Sequence, residues 1–156
     1  ILSDGSWTSL LFDLPLRPVK GQFLLLKGEP LTHRVIRTPD VYLIPRSNGQ
    51  LYVGASLEEE GFAIHRTAGA TMDLLYHSFQ VLRGIYELEI LEHSVGFRPA
   101  VRDNQPVISA TPYEGLWINT AHYRHGIMLA PQAASLLCDL MEGTPAVSSF
   151  SLQRFM

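Results

Sequence analysis

One stretch of the sequence places a cation on stiff backbone. In GFRPAV, residues 96–101, Arg98 directly precedes Pro99 within an otherwise apolar run. A residue before proline is held in extended geometry, so the side chain of Arg98 projects from a fixed backbone. Its guanidinium is a planar fork that matches a carboxylate through two parallel hydrogen bonds. Arg98 is therefore a candidate carboxylate anchor, and a structural arginine paired with Glu or Asp is the alternative.

A second stretch, NTAHYRHGIMLAP at 119–131, brings polar side chains to a turn. We expect a strand over 116–123 and a helix that begins near Pro131. A helix N-terminus carries partial positive charge and favours an anion or an electron-rich carbonyl. Gly126 would let a flat ligand approach the backbone closely. These features predict a turn that faces a ligand, with an ordinary strand-to-helix connection as the alternative.

Several other kinds of site are not supported by the sequence. His122 and His125 stand three residues apart, but no cysteine or carboxylate cluster is near them, so we predict no metal site. No G-x-S-x-G segment supplies a serine nucleophile, and we propose no side-chain base. Cys138 is expected to be a packed thiol on a helix. A G-x-G-x-x-G segment is also missing, so we do not expect this chain alone to bind a dinucleotide.

Short apolar runs separated by Gly, Pro and Asn indicate the strands that position these residues. An antiparallel meander is predicted from four runs, at 19–26, 33–38, 41–46 and 50–56. Asn48-Gly49 favours a two-residue turn with positive φ at both residues, so 41–46 and 50–54 should form a hairpin. Two later runs, at 87–101 and 116–123, predict further strands.

Helical spacing of apolar residues occurs in two places. The first helix runs from Ala70 to a stop at Gly84, and its apolar face comprises Met72, Leu75, Tyr76, Phe79 and Leu82. The second spans 130–143 and its apolar face comprises Leu136, Leu137, Leu140 and Met141. A short helix is expected after Trp7. Together these elements predict an α+β fold: a mostly antiparallel mixed sheet of about six strands with two main helices.

Composition excludes several classes of function. A chain of 156 residues, 46% hydrophobic and 17% charged, is expected to form one globular domain over 1–156. A net charge of −3 without a basic block argues against nucleic acid, and the short apolar runs argue against a membrane span. The single cysteine favours a cytoplasmic location. The run Glu58-Glu59-Glu60 is expected to be a solvated loop, and the opening ILSDGSW is expected to be the start of a fragment.

Four segments, in their order and separation, resemble one known family: VKGQ, VYLIPRSNGQLYVGAS, GFRPAV and HYRHGIMLAPQAASLLCDL. They are similar to the C-terminal half of the FAD-dependent amino-acid oxidases of the D-amino-acid oxidase type, most closely the glycine oxidases of thiamine biosynthesis. The resemblance runs from about residue 2 to residue 154. It implies the substrate domain of a larger FAD-dependent oxidoreductase, with the N-terminal dinucleotide-binding region outside this chain.

The resemblance also implies roles for individual residues. Tyr42 and Arg98 would hold the substrate carboxylate, and Arg124 would border the substrate. The cofactor FAD would contact the backbone of one segment, which comprises His122, Tyr123, Arg124, His125, Gly126, Ile127 and Met128. In that family the α-carbon hydrogen leaves as hydride to the flavin, the imine hydrolyses, and O₂ is reduced to H₂O₂. The implied partners are a small amino acid, such as glycine, and the FAD-binding region, with a homo-oligomer left open.

Three residues depart from the family pattern. Ala121 stands where the family has Gly, His125 where it has Asn, and Asp4 brings a carboxylate near the expected cofactor. Loss of the glycine would crowd the flavin, and His125 would add a titratable group beside it. The alternatives are a non-catalytic binding or structural module that retains the fold, or an oxidase or dehydrogenase for sarcosine, proline or D-amino acids.

Overall fold

The chain folds into two units, which a computed structural model describes over residues 1–145 and 147–155. One unit comprises residues 20–96, and the other comprises residues 1–19 together with 97–156. We predict from the sequence that residues 1–156 form one domain of a larger oxidoreductase. The two compact units do not test this prediction.

Seven strands and three α-helices are present in the described part of the chain. The strands are β1 (Arg17–Lys27), β2 (Ile36–Arg37), β3 (Tyr42–Pro45), β4 (Gln50–Gly54), β5 (Glu89–Ala100), β6 (Val107–Ala110) and β7 (Trp117–Thr120). The helices are α1 (Thr8–Leu11), α2 (Ala68–Val81) and α3 (Gly126–Met141), and 3₁₀ turns lie at Gly5–Trp7, Arg83–Glu87, Ser148–Phe150 and Leu152–Phe155. The predicted α+β class is confirmed, with seven strands in two sheets instead of about six in one.

A five-stranded sheet in the order β2-β3-β4-β1-β5 is the framework of the unit 20–96. β2, β3 and β4 are successive antiparallel neighbours, and β4 also pairs antiparallel with β1. The predicted meander is therefore confirmed for β2, β3 and β4, but β1 lies beside β4 and not beside β2. Strand β2 contains only two of the residues expected over 33–38. β1 and β5 both continue along the chain into the second unit.

The β3–β4 hairpin forms as predicted but with a different turn. The Arg46 N–H donates to the Gln50 carbonyl (2.8 Å), so three residues, 47–49, make the loop. Gly49 has φ +76°, whereas Asn48 has no positive φ. The Asn48 side-chain oxygen instead accepts from the Gln50 N–H (3.3 Å). A three-residue loop with one left-handed glycine is the next most common hairpin connection, so only the two-residue turn was wrong.

Helix α2 exists where predicted, but its buried face is different. Met72, Tyr76 and Phe79 are exposed, whereas Ala70, Leu74 and Ser78 are buried. Ala70 and Ser78 have small side chains, and Leu74 is the buried residue of α2 that belongs to the apolar core of the sheet. Ser78 Oγ–H donates to the Leu74 carbonyl (2.6 Å). From the predicted face only two residues pack against that core, Leu75 and Leu82.

The second unit contains α1, the antiparallel pair β6–β7, and α3. Strand β6 was not predicted, because Val107–Ala110 is too short to be distinguished without its partner β7. Two apolar clusters hold this unit together. One surrounds Ile118 and Val107, and the other joins Ile108 to Ala133 and Leu137 of α3.

Helix α3 begins at Gly126, before the predicted start near Pro131, so Pro131 lies inside the helix. Leu136, Leu137 and Leu140 pack as expected. Met141 is exposed, and so is Cys138, which contradicts the expected packed thiol. Among the described residues, no helix combines the length and apolar character that a bilayer crossing requires.

Candidate functional site

The end of strand β5 is tied to the turn that follows β7. Arg98 lies near the end of β5 and is half-buried. The carbonyl of the next residue, Pro99, accepts a hydrogen bond from the Tyr123 N–H (3.0 Å). The two stretches that the sequence singled out therefore meet through main-chain atoms within one unit.

The turn after β7 has an unusual backbone. Ala121 has φ +60° and Tyr123 has φ +49°, both in the left-handed region. This conformation costs about 1–2 kcal/mol for a residue with a Cβ, which explains why the family pattern has a glycine in place of Ala121. Ala121 is fully buried in an apolar cluster, and this packing holds the turn in place. The alanine therefore keeps the backbone shape that a glycine would adopt without strain.

His122 is held by this turn with one ring nitrogen paired and the other without a partner. Its Nε2 lies 2.8 Å from Asn119 Oδ1, which accepts a hydrogen bond, so Nε2 carries the proton. Nδ1 is then a buried acceptor without a hydrogen-bond partner. Burial lowers the pKa of His122 below the usual value of 6.5, which favours the neutral ring. A buried acceptor of this kind is suited to a donor from a ligand.

The start of α3 presents free main-chain donors beside exposed apolar side chains. His125 precedes the helix and no side chain caps it. The first N–H groups of a helix have no partner within the helix. Ile127 is 97% exposed and Met128 is also exposed, as is Arg124 just before the helix. This surface combines positive helix-end charge with apolar contact area, which suits a flat, electron-rich ligand.

The N-terminal segment packs beside the same strand ends. Thr120 Oγ1–H donates to the Gly5 carbonyl (3.1 Å), and the ring of Trp7 meets that of Phe97 edge-on, with centroids 5.9 Å apart. Asp4, which is exposed, directly precedes this anchored segment. The structure thus brings the Asp4 segment, the end of β5 and the 121–126 turn together in one unit.

Tyr42 lies in the other unit, on the face of the sheet opposite the apolar core. It pairs with Gly54, and its neighbours on β3 and β4, Leu43 and Val53, point into that core. A Cβ built on Gly54 would lie 2.5 Å from Cζ and from the hydroxyl oxygen of Tyr42, so the ring rests directly on the glycine backbone. Tyr42 is half-buried, and its role as a carboxylate contact shared with Arg98 stays a prediction.

Two further aromatic residues share the face of Tyr42. The rings of Phe23 and Tyr52 stack with centroids 4.5 Å apart. Burial, with a smaller contribution from Tyr42, raises the pKa of Tyr52 to about 12. Tyr52 therefore keeps its proton at neutral pH.

One polar cluster was missed by the sequence analysis. Glu58 and Glu60 each contact the ammonium group of Lys20 at 2.9 Å, and the Lys20 side chain is 0% exposed. The expectation of a solvated loop is therefore wrong for Glu58, whose side chain is 19% exposed. The alternation of Lys20 and Gln22 with Val19 and Gly21 gave no sign that both polar side chains are buried. Within the described ranges, no group of three or more His, Cys, Asp or Glu residues is arranged to hold a metal.

Comparison with known proteins identifies the family. Residues 1–140 match the family described as FAD dependent oxidoreductase. The chain is 36% identical to the "Bifunctional protein ThiO/ThiG" of Synechocystis over all of its own length and 25% of that protein. It is 35% identical to the glycine oxidase of Pseudomonas aeruginosa, with 92% of this chain and 41% of that protein aligned. The chain thus spans less than half the length of these relatives.

A solved structure supports the same assignment. The glycine oxidase of Geobacillus kaustophilus superposes with a TM-score of 0.85 at 28% identity, covering 97% of this chain and 44% of that one. The family match extends over residues 1–140, about nine-tenths of this chain. These residues include the strands of both sheets and the β5–turn–α3 arrangement. This chain belongs to the family of FAD dependent oxidoreductases.

Proposed function

We propose that this chain is the substrate-binding part of an FAD-dependent oxidase that acts on the C–N bond of a small amino acid, glycine or a similar one. The proposal covers the full-length protein, and this chain alone is expected to be inactive. Relatives named glycine oxidase support the substrate class. A cytoplasmic location and a role in thiamine biosynthesis belong to the same proposal, the latter supported by the relative named ThiO/ThiG.

The observation that carries the proposal is the arrangement around the end of β5. Arg98 precedes Pro99, whose carbonyl accepts a hydrogen bond from the Tyr123 N–H. The residue before Tyr123 is His122, whose buried Nδ1 has no hydrogen-bond partner. The proposed carboxylate anchor is thereby joined to a turn that presents a buried acceptor and a helix N-terminus. An oxidase needs this pairing, because the substrate carboxylate must be held while the α-carbon faces the cofactor.

The residues of the turn fit a flavin. His122 Nδ1 lacks a donor, the first turn of α3 has no side-chain cap, and Ile127 and Met128 are exposed apolar groups. The segment 122–128 would hold the edge and face of the ring. When bound, FAD would accept the hydride that leaves the α-carbon. The main-chain donors at the start of α3 would favour negative charge at the ring edge that they face.

The proposed side chains orient the substrate and do not transfer protons. The Arg98 guanidinium would donate two charge-assisted hydrogen bonds to the carboxylate, and the Tyr42 hydroxyl would donate a third. Arg124, exposed before α3, would border the substrate. Correct orientation of reacting groups is worth several kcal/mol in a well-aligned reaction.

The test is a substrate screen on the full-length protein with bound flavin. We expect H₂O₂ release with glycine, and the rates with sarcosine, proline and D-alanine would define the substrate range. An acetate titration monitored by flavin absorbance measures carboxylate binding separately from turnover. Binding of acetate without turnover of any amino acid would contradict the oxidase assignment.

A non-catalytic module is the second candidate, and the departures Asp4 and His125 favour it. Both side chains are exposed, so neither replacement is required by packing. Ala121 does not favour this candidate, because its backbone already has the left-handed conformation. A full-length protein that binds neither flavin nor acetate would support the module.

A further inference from the structure

The buried polar cluster beside β1 removes charged groups from water, which costs desolvation free energy. The Lys20 ammonium is enclosed with Glu58 and Glu60, and the Gln22 side chain is also fully buried. Gln22 Nε2–H donates to both carboxylate oxygens of Glu58 (2.8 and 3.0 Å). Replacing buried ion pairs by apolar residues is often neutral or stabilising. A network of this kind therefore calls for a role besides stability.

The cluster lies where the register between β1 and the chain after β4 shifts by one residue. Phe23 pairs with Gly54, but Lys20 pairs with Glu58, so one extra residue is inserted on the β4 side between these pairs. Such a bulge bends a strand and redirects its side chains, and bulges are frequent beside active sites. The insertion turns Glu58 to the buried face where Lys20 and Gln22 lie.

Hydrogen bonds among four residues, Lys20, Gln22, Ser56 and Glu58, hold the bulge. The Gln22 N–H donates to Ser56 Oγ (2.7 Å), and the Ser56 N–H donates to the Gln22 carbonyl (3.1 Å). The Ser56 hydroxyl in turn donates to Glu58. Lys20 and Glu58 exchange two main-chain hydrogen bonds, of 2.9 and 3.0 Å. Side-chain and main-chain bonds together tie residues 56–58 to β1.

The bulge begins at the glycine on which Tyr42 rests. Only one residue separates Gly54 from Ser56, and the Tyr42 ring has no room for even a methyl group on Gly54. A shift of the 55–58 backbone would move Gly54 and release the ring. Displacements of about 1 Å at a binding group lower rates by about a hundredfold.

We infer that Ser56 and Glu58, held by Lys20 and Gln22, are positioning residues that fix the bulge after β4 and so set the orientation of the Tyr42 ring for binding of a substrate carboxylate. The inference rests on the proposed function for its carboxylate part. The orientation of the ring is independent of that function.

The test uses the full-length protein with 3-fluorotyrosine at position 42 and two variants, Ser56→Ala and Glu58→Gln. Ser56→Ala removes one hydroxyl, so it is the milder change if Glu58→Gln folds poorly. Ser56→Thr keeps the hydroxyl and is the conservative variant expected to behave as the parent. Asp103→Asn, which breaks an ion pair with Arg154 in the other unit, is the control for general loss of stability.

We expect Ser56→Ala and Glu58→Gln to shift or broaden the ¹⁹F resonance of Tyr42. We also expect both to raise the acetate Kd and the glycine KM about tenfold, with a smaller change in kcat. Ser56→Thr and Asp103→Asn should leave all three values unchanged. A lower melting temperature with the parent resonance and the parent KM would overturn the inference, because a purely structural role predicts that result.

The two proposals fail in different ways. A parent protein that neither binds acetate nor oxidises any amino acid would contradict the proposed function. The ¹⁹F resonance would still decide whether Ser56 and Glu58 orient the ring. An unchanged resonance in both variants would overturn the positioning role even in an active oxidase.

Discussion

At the scale of single residues, His122 shows how burial selects a protonation state. Its Nε2 is engaged by Asn119, and its Nδ1 is enclosed without a donor. Protonation of Nδ1 would place an unpaired positive charge in this enclosed position, which is why burial lowers the pKa. The neutral ring then offers one acceptor of fixed direction. This property cannot be read from the letters AHY, because it depends on which atoms the fold covers.

The lowered pKa of His122 predicts a pH-dependent stability. Between the pKa of the folded state and about 6.5, the unfolded chain binds more protons, so the free energy of unfolding rises with pH in this window. The stabilising effect is therefore present above about pH 6.5 and is lost as the pH falls through the folded pKa. His122→Gln should weaken the loss of stability between about pH 7 and pH 5, measured by urea denaturation of the full-length protein.

His93 provides the comparison for that measurement. Burial, followed by repulsion from Arg66, also lowers the pKa of His93, whose Nε2 is buried without a partner. His93→Gln should therefore change the pH slope in the same direction, and the double variant should show the sum of both changes. Equal slopes for the parent and both single variants would contradict the assignment of neutral rings.

Arg98 carries the next prediction, on substrate affinity. Arg98→Lys keeps the charge but loses the two-pronged fork, so the apparent affinity for substrate should fall by about 1–3 kcal/mol. The effect should be seen in the glycine KM or in the rate of flavin reduction by glycine, measured by stopped flow. Flavin content and absorbance should stay as in the parent. Loss of flavin, or unchanged glycine turnover, would require that the carboxylate role be withdrawn.

At the scale of elements, Gly54 shows how one strand residue limits a neighbouring ring. In Gly54→Ala the new methyl group would lie 2.5 Å from the outer ring atoms of Tyr42, which belong to a side chain that can rotate. We therefore expect a displaced ring, a modest loss of stability, and an acetate Kd raised about tenfold in flavin absorbance titrations. Gly69→Ala is the matched control, because a Cβ on Gly69 meets no atom within 4 Å. Equal acetate affinity in both variants would contradict the role of Gly54.

The elements also show which parts of the fold the sequence predicts. Alternating or periodic apolar residues located β1, β3, β4 and α3, because these segments bury large side chains. The same signal located α2, although Met72, Tyr76 and Phe79, which carried part of it, are exposed. The buried face of α2 was misjudged because it uses Ala70 and Ser78, which carry little hydrophobic signal. The start of α3 was placed near Pro131 because proline favours the first helical turn. Pro131 is the sixth residue of α3, where it lacks the hydrogen bond to the Ile127 carbonyl and brings its ring against that carbonyl. The helix nevertheless continues through it to Met141.

The candidate site was predictable only in part for related reasons. Arg98 and the 119–131 stretch stand out by residue type, and the structure joins them through Pro99 and Tyr123. The Lys20–Glu58 pair is separated by 38 positions and forms only after β1 and the bulge meet. Contacts of this kind depend on strand register, which a single sequence does not specify until the partner strand is known.

At the scale of the whole molecule, the polar cluster limits the pH range of stability. Burial raises the pKa of Glu58, but bonds from Ser56, Lys20 and Gln22 outweigh this and lower it below 4.5. Burial lowers the pKa of Lys20, but its bonds to Glu60 and Glu58 outweigh this and raise it above 10.5. The Glu58 carboxylate loses its stabilising effect as the pH falls through its folded pKa. The Lys20 ammonium loses its stabilising effect as the pH rises through its folded pKa. Glu58 and Lys20 are thus both ionised between these limits, which include neutral pH.

The relation of this chain to the complete protein gives the last prediction. The chain spans 25% and 41% of the two relatives and contains no G-x-G-x-x-G segment to hold a pyrophosphate. The contacts proposed for the segment 122–128 involve only the ring end of FAD. We therefore expect the isolated chain to be colourless after purification and to leave FAD fluorescence unquenched in a titration. The full-length protein, prepared in parallel, is the control and should be yellow with about one FAD per chain. A yellow isolated chain with stoichiometric FAD would contradict the view that the cofactor depends on a region outside residues 1–156, because the ring contacts alone would then hold it.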